Sequence, residues 1–87
     1  MLDRPKIIDV TPHTDYTIDI LLSDQRRLRL NMGRFLDSPA YKKLLNLGFF
    51  LSVKHDFRVI YWDDMHDMHI DQILNISDVQ GSPPAAP

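Results

Sequence analysis

Along residues 16–23 apolar and polar positions alternate. Tyr16, Ile18, Ile20 and Leu22 fall on one side, Thr17, Asp19 and Ser23 on the other, and Leu21 alone breaks the rule. Successive side chains of a strand point to opposite faces, so this pattern predicts a half-buried β-strand. Residues 27–32 alternate in the same way, with Leu28, Leu30 and Met32 apolar. For the two apolar sets to share a face, Leu22 is set opposite Leu28 and Ile20 opposite Leu30. The loop Asp24-Gln25-Arg26 then lies between a paired Ser23 and Arg27. A three-residue hairpin loop calls for Gly or Asn in the left-handed conformation, and this one has neither. Upstream, Lys6-Ile7-Ile8-Asp9-Val10-Thr11 is rich in β-branched residues and bounded by Pro5 and Pro12, as suits an edge strand. His13-Thr14-Asp15 turns the chain.

The period changes after residue 37. Ser38 is a good N-cap, Pro39 fits the first helical position, and residues 40–47 close on Gly48 as a C-cap. Tyr41, Leu44, Leu45 and Leu47 form the stripe expected to lie on a sheet. So short a helix does not persist alone in water and must be held by packing. Two further strands, 49–54 and 57–62, flank His55-Asp56 as a tight turn. This sets Leu51 opposite Ile60 and Phe49 opposite Trp62 on one face, with Phe50 against Tyr61 on the other, beside Ser52 and Val59. A short helical turn follows at about 70–74. The predicted class is therefore α+β: a small antiparallel sheet in the order βββαββ plus a short C-terminal helical turn, with one helix packed on one face. Residues 1–78 form the single domain, and residues 79–87 are a Pro/Ala-rich tail expected to be disordered.

Composition narrows the chemistry. The 87 residues hold 12 acids, all Asp, and neither Glu nor Cys. Thiolate nucleophiles, disulfides and Cys-ligated metal sites are thereby excluded. No apolar run is long enough to span a bilayer, and the first residues lack a signal-peptide pattern, so no membrane partner and a cytoplasmic location are expected. The net charge of −2 is unevenly divided: the first 45 residues carry +2 and the remainder −4.

Three constellations are candidates for function. Asp63-Asp64-Met65-His66-Asp67-Met68-His69 packs carboxylates and imidazoles closely enough to raise a divalent metal, with His66, His69 and Asp63 or Asp67 as ligands. Asp-rich stretches after a strand are also ordinary turn and cap chemistry, and no cofactor is expected. Arg27 and Arg29 on the first hairpin, with Arg34, Lys42 and Lys43 nearby in sequence, are a candidate phosphate-contacting set. Against it, no aromatic side chain interleaves these cations, and Arg29 can pair with Asp19 across the ladder. Both faces of the second hairpin are partly apolar, while one helix covers a single face. Phe50, Val59 and Tyr61 therefore need cover from residues 70–76 or from another chain, and are the candidate partner-binding residues. Catalysis has least support: the chain has no glycine-rich phosphate loop and no nucleophile elbow.

Several short motifs occur in a specific order: Pro5-x-Ile7-x-x-Val10 with Pro12, Asp15-Tyr16-Thr17-Ile18, Ser23-Asp24, the helix entry, Phe50-x-x-Val53, Trp62, and Asp67-Met68-x-x-x-x-Ile73-Leu74. On these, over residues 5–76, the chain resembles the bacterial domain of unknown function 2442. The resemblance implies a small α+β fold and no established activity. It also implies stand-alone proteins, sometimes joined to helix-turn-helix regions, in arrangements suggestive of toxin–antitoxin-like pairs. The chain departs from the family pattern at Gln25, where Gly is usual, and at Asn31-Met32-Gly33, where an Asp-containing motif is usual. Taken together, these features make a non-enzymatic protein-interaction module the expected function, working as a homodimer or beside a protein partner in a small operon. The alternative is a nucleic-acid-associated regulator using the basic hairpin face.

Overall fold

A computed structural model describes residues 5–81, with the backbone alone for residues 78–81. The period-two segments form β1 (Ile7–Pro12), β2 (Thr17–Leu22) and β3 (Arg27–Asn31). Two single turns of 3-10 helix, Met32–Phe35 and Lys42–Leu45, lead into α1 (Leu47–Leu51). Then come β4 (Lys54–His55), β5 (Val59–Asp63), β6 (His66–His69), α2 (Ile70–Ile76) and β7 (Asp78–Gly81). They assemble into a four-stranded sheet, β1-β2-β3-β7, and a three-stranded sheet, β4-β5-β6, with all pairs antiparallel. The class is α+β with a short C-terminal helix.

The faces of the first hairpin are those the alternation demanded, but its register is not. Ile20 stands opposite Leu28 and Ile18 opposite Leu30. A displacement of two residues leaves every side chain on its original face, so burial cannot choose between the two registers. Turn chemistry chooses. Leu22 N–H donates to Arg26 O, Gln25 N–H donates to Leu22 O, and the Asp24 carboxylate accepts from Arg26 N–H. The loop is therefore Ser23-Asp24-Gln25, with Gln25 at φ 72° filling the left-handed position.

The expected helix over 39–47 does not form, and neither does the strand over 49–54. Asn46 is extended and its side chain accepts from Phe49 N–H at 3.0 Å, so a new helix starts at Leu47 and Gly48 lies inside it. This restart turns Phe50 fully into the core. There it lies 5.1 Å from the Tyr16 ring and 6.2 Å from the Trp62 ring, and its carbonyl accepts from Trp62 Nε1–H at 2.9 Å. A fully buried Phe is worth about 1.5–3 kcal/mol, more than the marginal stability of an isolated nine-residue helix offers in exchange. The second hairpin shrinks accordingly: Lys54 pairs with Tyr61 and His55 with Ile60. The stretch expected to be only a turn contributes the additional strand β6, with Ile60 opposite Met68 and Tyr61 opposite Asp67. Chain expected to be an unstructured tail from residue 79 instead runs as β7 beside β3 as far as Gly81; residues 82–87 lie outside the described residues.

One core serves both sheets. Ile7, Ile18, Ile20, Leu22, Leu28 and Leu30 come from the larger sheet, Ile60, Trp62 and Met68 from the smaller, Met32, Leu44, Phe50, Ile70 and Ile73 from the helical segments, and Leu36 from the end of the first 3-10 turn. The sheets are stitched at one corner, where Ile7 N–H donates to Phe57 O at 2.7 Å.

Candidate functional site

The core covers one face of the larger sheet and leaves the other open. Its outward positions follow from the alternation: Asp9 and Thr11 on β1, Asp19 and Leu21 on β2, Arg27 and Arg29 on β3. They line a shallow concavity of about 370 Å³. The ladder aligns them in rows, one of Asp9, Leu21 and Arg27, and the next of Thr11, Asp19 and Arg29. Asp19 is the electrostatic centre. Arg29 donates to both of its oxygens, at 2.9 and 3.2 Å, and His13 Nε2 lies 2.9 Å from one of them. The Arg29 bonds, reinforced by His13, hold the Asp19 carboxyl below its usual range, and the same pair raises Arg29. The row is thus a locked, ionised group. In the neighbouring row Leu21 is half-buried and, among the described residues, Asp9 and Arg27 have no salt-bridge partner.

The candidate cations do not share one surface state. Arg29 is neutralised by Asp19, and Lys43 donates to Asp63 at 3.0 Å while its ammonium lies 4.5 Å from the Phe49 ring centroid. Arg34, on the first 3-10 turn, rests over the Phe35 ring at 5.9 Å, and Lys42 is exposed on the second. Arg27 and Arg29 share their face with Asp9 and Asp19, so the hairpin face is mixed in charge.

The Asp- and His-rich segment is divided by the new strand. Asp63 Oδ1 lies 2.7 Å from His66 Nδ1 and accepts from Met65 N–H at 2.9 Å, which closes the β5–β6 turn. Bonds from His66 first, and then from Lys43, hold the Asp63 carboxyl well below the ordinary range. Phe49 stands edge-on to His66, with centroids 5.9 Å apart. His69 instead caps α2, accepting from Asp71 N–H at 3.2 Å, and Asp67 is exposed opposite Tyr61. So Asp63 and His66 meet, while His69 and Asp67 are directed elsewhere. Among the described residues no three His, Asp, Glu or Cys side chains gather as a metal site would require.

The expected partner-binding trio is likewise split. Phe50 is wholly buried, so it is core and not surface. Val59 and Tyr61 remain on the outward side of the smaller sheet, half-buried opposite His69 and Asp67. What residue patterns did not reveal was the β1 contribution: Asp9, Thr11 and His13 join the arginine face. The signal was present, because a first strand paired with β2 must place its outward positions beside Asp19 and Leu21.

The chain is thus a small two-sheet α+β protein whose larger sheet keeps one face open. Residues 7–78 match the family model described as a protein of unknown function, DUF2442. The chain belongs to that family. No curated protein and no solved structure matches it. Among the described residues no helix is long and apolar enough to cross a membrane.

Proposed function

We propose that this chain is a non-enzymatic protein-interaction module of the bacterial cytoplasm, binding a protein through the outward face of its larger sheet. The observation that carries the reading is the locked His13–Asp19–Arg29 row beside a half-buried Leu21 on a face that nothing in the described chain covers. An apolar spot inside a polar, preorganised rim is the anatomy of a protein contact. The partner is a second copy of the chain or another small protein, as in the toxin–antitoxin-like pairs that the family resemblance implies. The mixed charge of the face favours this reading over nucleic acid, because its two arginines share the surface with two carboxylates.

The test is capture from the native host with tagged wild-type chain and tagged Leu21→Asp. Leu21 lies outside the core, so the variant is expected to fold, which circular dichroism checks. At about 50 mM salt, where exposed charges are less screened, the wild type should retain a protein, an untagged copy of the chain included, that the variant loses. Identical recovery from both forms, including none, overturns the proposal.

A further inference from the structure

The pattern on the open face is its own complement, and we infer that its occupant is a second copy of this chain, laid face to face across a two-fold axis running along β2 over Leu21. This rests on reading that face as an interaction surface and adds the identity and geometry of the partner. Neighbouring strands lie about 4.8 Å apart, so Asp9 on β1 and Arg27 on β3 stand roughly 10 Å apart on either side of Leu21. The two do not pair with each other, and among the described residues neither has a salt-bridge partner. A rotation of 180° about the β2 direction exchanges the β1 and β3 flanks without shifting the rows. Asp9 of each copy then lies over Arg27 of the other, twice per dimer. The two Leu21 side chains meet on the axis, which gives a function to the one residue that interrupts the polar alternation of β2. In the next row Thr11 of each copy faces Arg29 of the other, and the two Asp19 carboxylates that meet on the axis are each held by their own Arg29 at 2.9 and 3.2 Å. An isologous contact requires this kind of self-complementarity.

The footprint is small. The three facing strands, β1 to β3, with about five residues each cover roughly 250 Å² per copy, below the roughly 800 Å² of a standard interface, so the dimer is a concentration-dependent one. Sedimentation equilibrium at about 50 mM salt, up to about 500 μM protein, reads it where exposed charges are less screened. The wild type should shift from monomer to dimer across that range. Asp9→Lys and Arg27→Asp alone should each weaken dimerisation roughly tenfold, since each substitution counts twice. An equimolar mixture of the two variants should restore it, because each contact between positions 9 and 27 then again joins a cation to a carboxylate. Both positions are exposed, and unchanged thermal melts confirm folding. A wild type that stays monomeric, single variants that dimerise normally, or a mixture that fails to recover each overturns the inference. If any of these is found while Leu21→Asp still loses a captured protein, the face binds a different protein and only the self-pairing fails.

Discussion

Gln25 is held at φ 72°, in the left-handed region, at the tip of the first hairpin. Replacing it with glycine should stabilise the fold. For an L-residue the left-handed conformation costs roughly 1–2 kcal/mol, which glycine avoids. Glycine gives back roughly 0.5–1 kcal/mol through the freedom it adds to the unfolded chain. The net gain is about 0.5–1 kcal/mol. Nothing offsets it in the folded state: the Gln25 side chain is exposed and makes no hydrogen bond among the described residues, and the backbone bond from Gln25 N–H to Leu22 O at 3.0 Å is retained. For a domain of this size each kcal/mol moves Tm by roughly 4–8 °C, so Gln25→Gly should melt about 2–8 °C higher in calorimetry. Gln25→Ala keeps the strain and should stay close to wild type. Tyr16, at φ 66°, is the contrasting case. Its ring packs on Phe50 and its hydroxyl donates to Leu45 O, so Tyr16→Gly should lose about 3 kcal/mol or more despite relieving the same strain. An unchanged or lowered Tm for Gln25→Gly, or an equal rise for Gln25→Ala, would refute the assignment of strain to this residue.

Phe50→Ala should destabilise the protein by about 3–5 kcal/mol in urea titration, because it empties a fully buried site between Tyr16 and Trp62; a loss under about 1 kcal/mol would return Phe50 to the surface. The lowered pKa of Asp63 means that its ionised form is tied to the fold. Its stabilisation is complete above the ordinary carboxylate range near pH 4 and is lost as pH falls below it, so Asp63→Asn should flatten the acid limb of Tm against pH, and an equally steep limb would count against the His66 and Lys43 contacts. Zinc or a chelator should leave Tm unchanged, since Asp63 and His66 meet without His69 or Asp67; a rise of several degrees with zinc would show a site that these separations exclude.

The readable part of the candidate site was its face. Alternation puts Asp19 and Arg29 on the same outward face of adjacent strands, but their standing directly opposite each other came only with the observed register, two residues from the expected one. His13 could not be read the same way. It joins Asp19 because the chain turns at residues 13–16, where Tyr16 takes a positive φ that no propensity favours. The metal candidates failed for a related reason. His66 and His69 are neighbours in sequence, but β6 points them to opposite sides, and which of them serves a turn and which caps a helix depends on strand pairing.

By itself the sequence determined the class, the first hairpin's inward and outward faces, and the short helix after residue 69, because period and capping are local properties. Tertiary structure decided the rest. Phe49-Phe50-Leu51 suits strand or helix equally well, and only the slot between Tyr16 and Trp62 makes it a helix that delivers Phe50 inward. The two-residue choice of hairpin register was also invisible to burial, since both registers bury the same side chains, and it fell to the Asp24–Gln25 turn. Which face stays open was settled last, when one core drew both sheets onto the same side and left Asp9, Leu21 and Arg27 facing solvent.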